Sequence, residues 1–171
     1  MSTAIRVALA ALAMTLVFPE LTRYRGERRL RHFDGIQQLA AAQPEQAAQR
    51  SVALRKITRQ TLEVRTYPGD WRPAAIAAGI LLRTGDAPGA AALYRQASAF
   101  GERPELDANL ALALRAAGDS ARAEELLFRA IWLSPALANL LPAADAHWKV
   151  KVAEHKLNHG ALNEYELPPA P

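Results

Sequence analysis

Residues 85–97 read GDAPGAAALYRQA, and residues 118–130 read GDSARAEELLFRA. Both segments begin with Gly-Asp. A small residue, a large apolar residue and an alanine then follow at the same positions in each segment, and the second segment lies 33 residues after the first. An apolar helical pattern precedes each Gly-Asp, and a proline closes each unit, at Pro104 and Pro135. A fixed period of this size is typical of helical hairpins that stack on one another.

The shared positions have definite roles in helix packing. Glycine lets the chain turn between two helices without a side-chain clash, and Asp86 or Asp119 can cap the helix that follows. Ala90 and Ala123 allow the two helices of a hairpin to cross closely. Large side chains are expected to fill the space beside these alanines, namely Tyr94 and Leu127.

Over residues 71–135 this pattern resembles the tetratricopeptide repeat, a helix-turn-helix unit that usually has 34 residues. The first unit has Ala77-Ala78 where that family usually has Leu-Gly. The resemblance implies an all-α fold built on a short solenoid of helical hairpins. Since two repeats alone leave exposed ends, we expect a cap helix at each end, and we expect an N-terminal transmembrane helix before them. We expect an anchor or signal sequence at 1–21, a basic helical connector and N-terminal cap at 22–67, two repeats at 68–135, a C-terminal cap helix at 136–160 and an extended tail at 161–171.

Local signals divide the connector into several helices. Proline suits the first turn of a helix and an acid suits its N-terminal dipole, so Pro19-Glu20 and Pro44-Glu45 each predict a helix start. Asp34-Gly35 predicts a break, and the helix opened by Pro44 is expected to run to about Arg65.

The N-terminal stretch indicates a membrane segment. Residues 7–18 are uncharged and mostly apolar, but twelve residues do not span a bilayer. The stretch reaches nineteen residues from Thr3 to Leu21, enough to span, if the Arg6 side chain extends to the headgroups and Pro19-Glu20 lies at the far boundary. Val17-Phe18-Pro19 is not a small-x-small cleavage site, which favours an uncleaved anchor over a cleaved signal or a soluble core helix. One face of this helix carries small residues that would let another membrane helix approach closely, at Ala4, Ala8, Ala11 and Thr15.

The charge distribution supports attachment to an anionic surface. Residues 1–65 contain eleven Lys/Arg and five Asp/Glu, whereas residues 66–171 contain ten and twelve. The basic residues form a collar just after the apolar stretch, at Arg23, Arg25, Arg28, Arg29 and Arg31. Because positively charged flanks favour the inner side of a membrane, we expect a single-pass protein whose repeats face the cytoplasm rather than the exterior.

No pattern in the sequence indicates catalysis or a cofactor. The chain has no cysteine, and it lacks a phosphate-binding glycine loop, a Ser-His-Asp arrangement and paired carboxylates. His155 and His159 have a helical spacing that could suit a metal, but Lys156 breaks the zinc-protease pattern, and we expect no metal site. The basic stretch from Arg50 to Arg65 lacks interleaved aromatics, which argues against nucleic-acid binding.

The resemblance also implies where a partner would bind. In the tetratricopeptide family the first helix of each hairpin lines a concave groove. Carried over from the Gly-Asp alignment, the groove residues with larger side chains are Arg72, Leu82, Arg83, Glu105, Leu112 and Arg115. Small residues take the remaining groove positions, at Ala75, Gly79, Ala108 and Ala116. Ala75 and Gly79 replace the lysine and asparagine of chaperone-binding members, so the resemblance implies a different partner, a helix or extended peptide with some acidic character.

Together these features predict a membrane-anchored scaffold or adaptor that binds protein partners and membrane lipid but neither nucleic acid nor a small-molecule substrate. An accessory subunit built permanently into a membrane enzyme or secretion assembly is the first alternative. A soluble envelope factor, released by signal cleavage, is the second.

Overall fold

The computed structural model describes residues 3–139 and 147–159, without the side chains of residues 3–17, 48, 149 and 155–159. All regular elements in these ranges are helical, which confirms the prediction of an all-α fold. The α-helices are α1 (Thr3–Ala42), α2 (Pro44–Gln49), α3 (Ser51–Leu62), α4 (Arg72–Arg83), α5 (Ala87–Ser98), α6 (Pro104–Ala116), α7 (Ser120–Leu133) and α8 (His147–His159), and a 3-10 helix (Pro135–Asn139) follows α7.

The two Gly-Asp segments form the turns of two helical hairpins, α4–α5 and α6–α7. Gly85 and Gly118 have φ angles of 85° and 93°, a left-handed conformation that favours glycine. Asp86 and Asp119 each accept a hydrogen bond from the backbone N–H three residues later, at 3.0 and 3.4 Å. The predicted roles of both residue types are confirmed.

The core between the hairpins follows the predicted small-beside-large pattern. Ala90 and Ala123 are fully buried, and Tyr94 and Leu127 lie beside them in the same apolar cluster. This cluster extends from α4 through α8, where Trp148 packs against it. Each buried leucine or tyrosine stabilises the fold by about 1.5–3 kcal/mol relative to exposure.

Helix α1 is one continuous element and passes through two predicted breaks. Pro19 lies inside it, and Gly35 lies near the end of an unbroken helical run. The predicted start at Pro19-Glu20 and the break at Asp34-Gly35 are therefore wrong. Leu30 and Phe33 pack into a second cluster against α3 and α4, and such tertiary packing overrides the local preference of a single glycine. The helix predicted from Pro44 to Arg65 is also interrupted, because α2 ends before Arg50 and α3 ends at Leu62.

The second half of α1 runs parallel to α4. Glu27 bonds to Arg72 at the beginning of α4, and Gln37 lies against Gly79 near its end. Helix α3 packs on α4 as α5 packs on α6. Helix α3 therefore occupies the place of the second helix of a preceding hairpin, whereas α1 packs on α4 more than on α3. We call the unit formed by residues 26–139 and α8 the repeat body.

The repeat body has two ends that differ in their connections. The turns inside the hairpins, at Thr84–Asp86 and Ala117–Asp119, form the turn end. The connections from α3 to α4 and from α5 to α6, at residues 63–71 and 99–103, form the loop end. Since α1 is parallel to α4, its residues 3–25 project beyond the loop end.

Within the described residues, no helix combines the length and the apolar character needed to cross a membrane. The small-residue face predicted at Ala4, Ala8, Ala11 and Thr15 lies on α1, but its side chains are outside the described part. Helix α8 falls within the C-terminal cap helix predicted at 136–160. Residues 140–146 and 160 of that range lie outside the described residues, as does the predicted tail at 161–171.

We predict opposite effects for two glycine substitutions in α1. A Cβ atom at Gly26 would overlap the backbone carbonyl of Arg65, whereas one at Gly35 would meet nothing within 4 Å. Gly26→Ala should therefore lower the free energy of unfolding by about 1–3 kcal/mol. Gly35→Ala should raise it by up to about 1 kcal/mol, because alanine is the better helix former. Urea unfolding of the two variants and the native protein would measure both changes, and a similar effect of both substitutions would contradict this packing of α1.

Candidate functional site

A groove lies between α1, α4 and α6. It has a volume of about 340 Å³, and α5 contributes to its floor through Tyr94. The floor is mainly apolar, formed by Leu30, Ala75, Ile76, Tyr94 and Leu106. Polar and charged residues surround the floor, among them Arg31, Asp34, Gln37, Glu105 and Asn109. An apolar floor with a polar rim is the usual construction of a site that binds a peptide side chain.

The structure brings two of the six larger groove residues predicted from the sequence to this cavity, Arg72 and Glu105. The small residue Ala75 also lies there. The other four larger residues lie closer to the turn end and do not line the cavity, namely Leu82, Arg83, Leu112 and Arg115. Gln37 of α1 packs onto Gly79, so α1 covers part of the α4 face that the repeat resemblance implied would be open.

Arg72 connects α1 to α4 and is not a free groove ligand. Its Nη1 and Nη2 atoms donate to the two carboxylate oxygens of Glu27, at 3.0 and 2.6 Å. Its Nε and Nη2 atoms donate to both oxygens of Asp70, each at 2.8 Å. The Tyr67 ring centroid lies 5.4 Å from its Cζ. Paired bidentate contacts of this kind are both stronger and more directional than single ion pairs.

Asp70 is positioned by the loop that precedes α4. Its Oδ1 atom accepts the backbone N–H of Arg72 at 3.0 Å, and Thr66 donates its hydroxyl to Oδ2. We call Glu27, Asp70 and Arg72 the α1 clamp. Within the clamp, the Asp70 side chain is almost fully buried, with 3% of its surface exposed. The Glu27 and Arg72 side chains are each about 30% exposed.

The clamp shifts the pKa values of both carboxyl groups. Hydrogen bonds from Arg72 lower the pKa of Glu27 below its ordinary 4.5. Burial alone would raise the pKa of Asp70, but hydrogen bonds from Arg72 and Thr66 outweigh it and lower the value below 3.8. The same two acids raise the pKa of Arg72, so this guanidinium stays charged at any pH at which the protein folds.

With Arg72 neutralised by two acids, the remaining charge of the groove is acidic. Asp34 accepts a hydrogen bond from Gln38 at 2.9 Å, and Glu105 is exposed on the first turn of α6. Neither has a cationic partner within 4 Å among the described residues. Arg31 is the exposed cation on the α1 side. The groove therefore attracts a positively charged group more strongly than a negatively charged one.

All five residues of the predicted basic collar, Arg23, Arg25, Arg28, Arg29 and Arg31, are exposed. Arg23 contacts the Tyr67 ring, with its Cζ 5.9 Å from the centroid. Arg29 lies 5.9 Å from the Phe33 centroid. The collar thus surrounds α1 where the helix meets the loop end, and Arg31 alone reaches the groove.

A second charged pair lies inside the α6–α7 hairpin. Arg129 Nε lies 3.6 Å from Asp107 Oδ2, and about 95% of each side chain is buried; Arg129 also bonds to Glu102. Burial raises the pKa of Asp107. The pair is enclosed by the hairpin and lies away from the groove, so we assign it a structural role.

Across the described side chains, no group of three His, Cys, Asp or Glu residues could hold a metal, and the His155 and His159 side chains lie outside that set.

Comparison of the chain with protein-family models, curated proteins and solved structures finds no match. The tetratricopeptide resemblance consequently stays a prediction from residues 71–135.

The geometry itself adds residues that the sequence did not single out, chiefly Glu27, Asp34, Gln37 and Asn109. Three of these belong to α1, which the 33-residue period does not include. The apolar spacing of Leu30, Phe33 and Ala40 is the one signal that could have indicated them.

We predict that the α1 clamp makes stability depend on acid. Because the folded-state pKa values of Glu27 and Asp70 are lowered, their stabilisation is complete above the ordinary values of 4.5 and 3.8 and is lost as pH falls through the folded values. Lowering the pH from about 7 to about 3 should reduce the free energy of unfolding of both proteins. The reduction should be about 1–2 kcal/mol smaller for Arg72→Met than for the native protein.

Arg83→Met, an exposed arginine on the same helix, is the matched control and should retain the native pH dependence. Because its pKa is raised, Asp107 makes the folded state relatively more stable as the pH falls, which is opposite to the effect of the clamp. This contribution is present in all three proteins and cancels when they are compared. Equal acid sensitivity of Arg72→Met and the native protein would show that the clamp does not hold α1.

Proposed function

We propose that this protein is a membrane-anchored helical-repeat scaffold or adaptor that holds a protein partner beside a membrane complex and catalyses no reaction. The groove between α1, α4 and α6 carries this proposal, since it offers an apolar floor between rigid helices. Stacked hairpins present such a surface without the cost of ordering a loop. A tetratricopeptide-type architecture is part of the same proposal.

The charges of the groove favour a particular partner. An apolar side chain would occupy the floor beside Tyr94 and Leu106, while a lysine or arginine would pair with Asp34 and Glu105. The sequence had indicated a partner with some acidic character because Arg72 was expected to be available. Since Arg72 is already bound by Glu27 and Asp70, a cationic amphipathic helix or extended peptide fits the groove better.

The sequence of residues 3–21 is the support for membrane attachment. One unbroken helix from Thr3 to Ala42 favours retention of this segment over release by cleavage, since the same helix forms one wall of the groove. The arginine collar favours a cytoplasmic location of the repeats. Attachment would confine the search for a partner to two dimensions and raise its effective concentration.

A permanent accessory subunit is the second candidate, and a specific observation favours it. Phe18, Leu21 and Tyr24 are exposed on the projecting part of α1, with 69%, 41% and 56% of their surface accessible. Such side chains suit contact with neighbouring membrane helices. A subunit would survive detergent extraction at fixed stoichiometry, whereas the partner of an adaptor would dissociate on dilution.

The groove proposal predicts a charge-dependent peptide preference. Selection of peptides from a random display library on the purified protein should enrich sequences that combine an aromatic or aliphatic residue with lysine or arginine. The double substitution Asp34→Lys with Glu105→Lys reverses two charges on the rim of the groove. It should weaken binding of the selected peptides about tenfold or more, because two attractive charge contacts become repulsive. Added salt should reduce the difference, because the contacts are partly exposed.

Glu124→Lys with Glu125→Lys is the matched control, since both acids are exposed on α7, away from the groove. These changes alter the net charge equally and should leave the selected peptides bound. Arg72 is unsuitable for this test because its replacement also loosens α1. Enrichment of acidic peptides, or equal losses in the rim and control variants, would contradict the proposed groove.

A further inference from the structure

The loop end exposes a contiguous set of apolar side chains. Phe100, Tyr67 and Leu62 have 48%, 42% and 40% of their surface accessible. All three line one shallow hollow between the α3–α4 connection and the end of α5. At Gly69, a Cβ atom would lie 3.6 Å from the Phe100 ring, so the two connections are in close contact. Single exposed apolar residues are common, but such a group marks an interaction surface.

This hollow lies where α1 leaves the repeat body. Gly26 packs against the carbonyl of Arg65, and Arg23 contacts Tyr67. At 1.5 Å per residue, Leu21 lies roughly 8 Å along the helix from Gly26. A headgroup layer is roughly 5–7 Å thick on each side of a bilayer. If the apolar stretch ends at Leu21, the side chains of the loop end are within reach of the headgroups.

The charge of the loop end suits an anionic surface. Arg65 and Arg103 are exposed there and add to the collar on α1. The Cζ of Arg103 lies 4.8 Å from the Trp71 ring centroid. Among the acids at this end, Glu20, Asp70 and Glu102 are paired with arginines, which leaves the exposed Glu63 and Glu105. Exposed aromatic rings interspersed with arginines are typical of membrane-water interfaces.

The turn end has a different composition. Its two turns, at 84–86 and 117–119, contain no aromatic residue and each ends in an aspartate. Leu39 and Val52 are exposed near this end, at 54% and 79%, but they lie on separate helices, and the exposed aromatic side chains of the body, Tyr67 and Phe100, are at the loop end. The molecule is therefore asymmetric along the direction of α1.

We propose that the loop end is a second membrane contact, which docks on anionic phospholipid headgroups through Tyr67, Arg65 and Arg103 and brings the position of Phe100 into the interface beside them. This inference rests on the proposed membrane attachment of the N-terminal segment. The repeat body then stands on the bilayer in one orientation, and the groove between α1 and α6 opens parallel to the membrane surface at a fixed height.

The absence of cysteine from the sequence makes a labelling experiment direct. Single-cysteine variants of the full chain, Phe100→Cys at the loop end, Val52→Cys at the turn end and Leu12→Cys in the apolar stretch, are labelled with an environment-sensitive fluorophore. The proteins are reconstituted into phosphatidylcholine vesicles with or without phosphatidylglycerol. Lipids with a spin label near the headgroup then quench any fluorophore that lies in the interface.

Quenching at residue 100 should be about threefold or more that at residue 52 in vesicles with phosphatidylglycerol, and weaker without it. Arg65→Glu with Arg103→Glu should abolish the quenching at residue 100 but leave residue 12 protected from aqueous reagents. The matched charge control is Arg83→Glu with Arg122→Glu, near the turn end, which should change neither signal.

The three positions separate this inference from the proposed attachment. Protection at residue 12 without quenching at residue 100 would overturn the second contact while the anchor stands. Exposure of residue 12 to aqueous reagents together with no quenching at residue 100 would overturn both. Equal quenching at residues 52 and 100 would indicate non-specific adsorption and would also overturn the proposal.

Discussion

The docking of α1 on α4 is the contact on which the candidate site depends. Without it, the groove would lose the wall that carries Leu30, Arg31 and Asp34, and the N-terminal segment would have no fixed direction. The contact combines an apolar stripe on α1 with the clamp formed by Glu27, Asp70 and Arg72. Apolar burial provides most of the stabilisation, because an ion pair that is about 30% exposed contributes only about 1 kcal/mol or somewhat more.

The parts of the structure that local chemistry dictates were predictable from the sequence. Gly85 and Gly118 require a left-handed turn, and the aspartates after them cap the next helix, so both hairpins follow from residues 85–130. The packing of α1 and α3 on α4 could not be predicted in this way, because α1 and α3 have no Gly-Asp turn between them. Gly35 suggested a break there, yet burial of Leu30 and Phe33 on the opposite side keeps α1 helical.

The site was less predictable than the fold for a related reason. A groove alignment assigns residues to a face, but it does not reveal which charges are already paired within the chain. Arg72 was expected to bind a partner, and its actual ligands are Glu27, 45 residues earlier, and its near neighbour Asp70. Once this pairing is known, the net charge assigned to the groove changes from basic to acidic. Long-range ion pairs therefore decide partner chemistry here, and they leave no periodic signal in the sequence.

Two adjacent residues set the register of α1 on α4. Gly26 permits close approach to the Arg65 carbonyl, and this approach brings Glu27 within 2.6 and 3.0 Å of the Arg72 guanidinium. A shift of α1 by seven residues toward its N-terminal end would place Phe33 against that carbonyl, and the opposite shift would place Arg23 where Leu30 is buried. The apolar stripe alone tolerates neither shift well, and the clamp adds a directional contact that only one register satisfies. The same helix forms one wall of the groove and continues into the N-terminal segment. Its register on α4 therefore fixes the position of the groove relative to that segment.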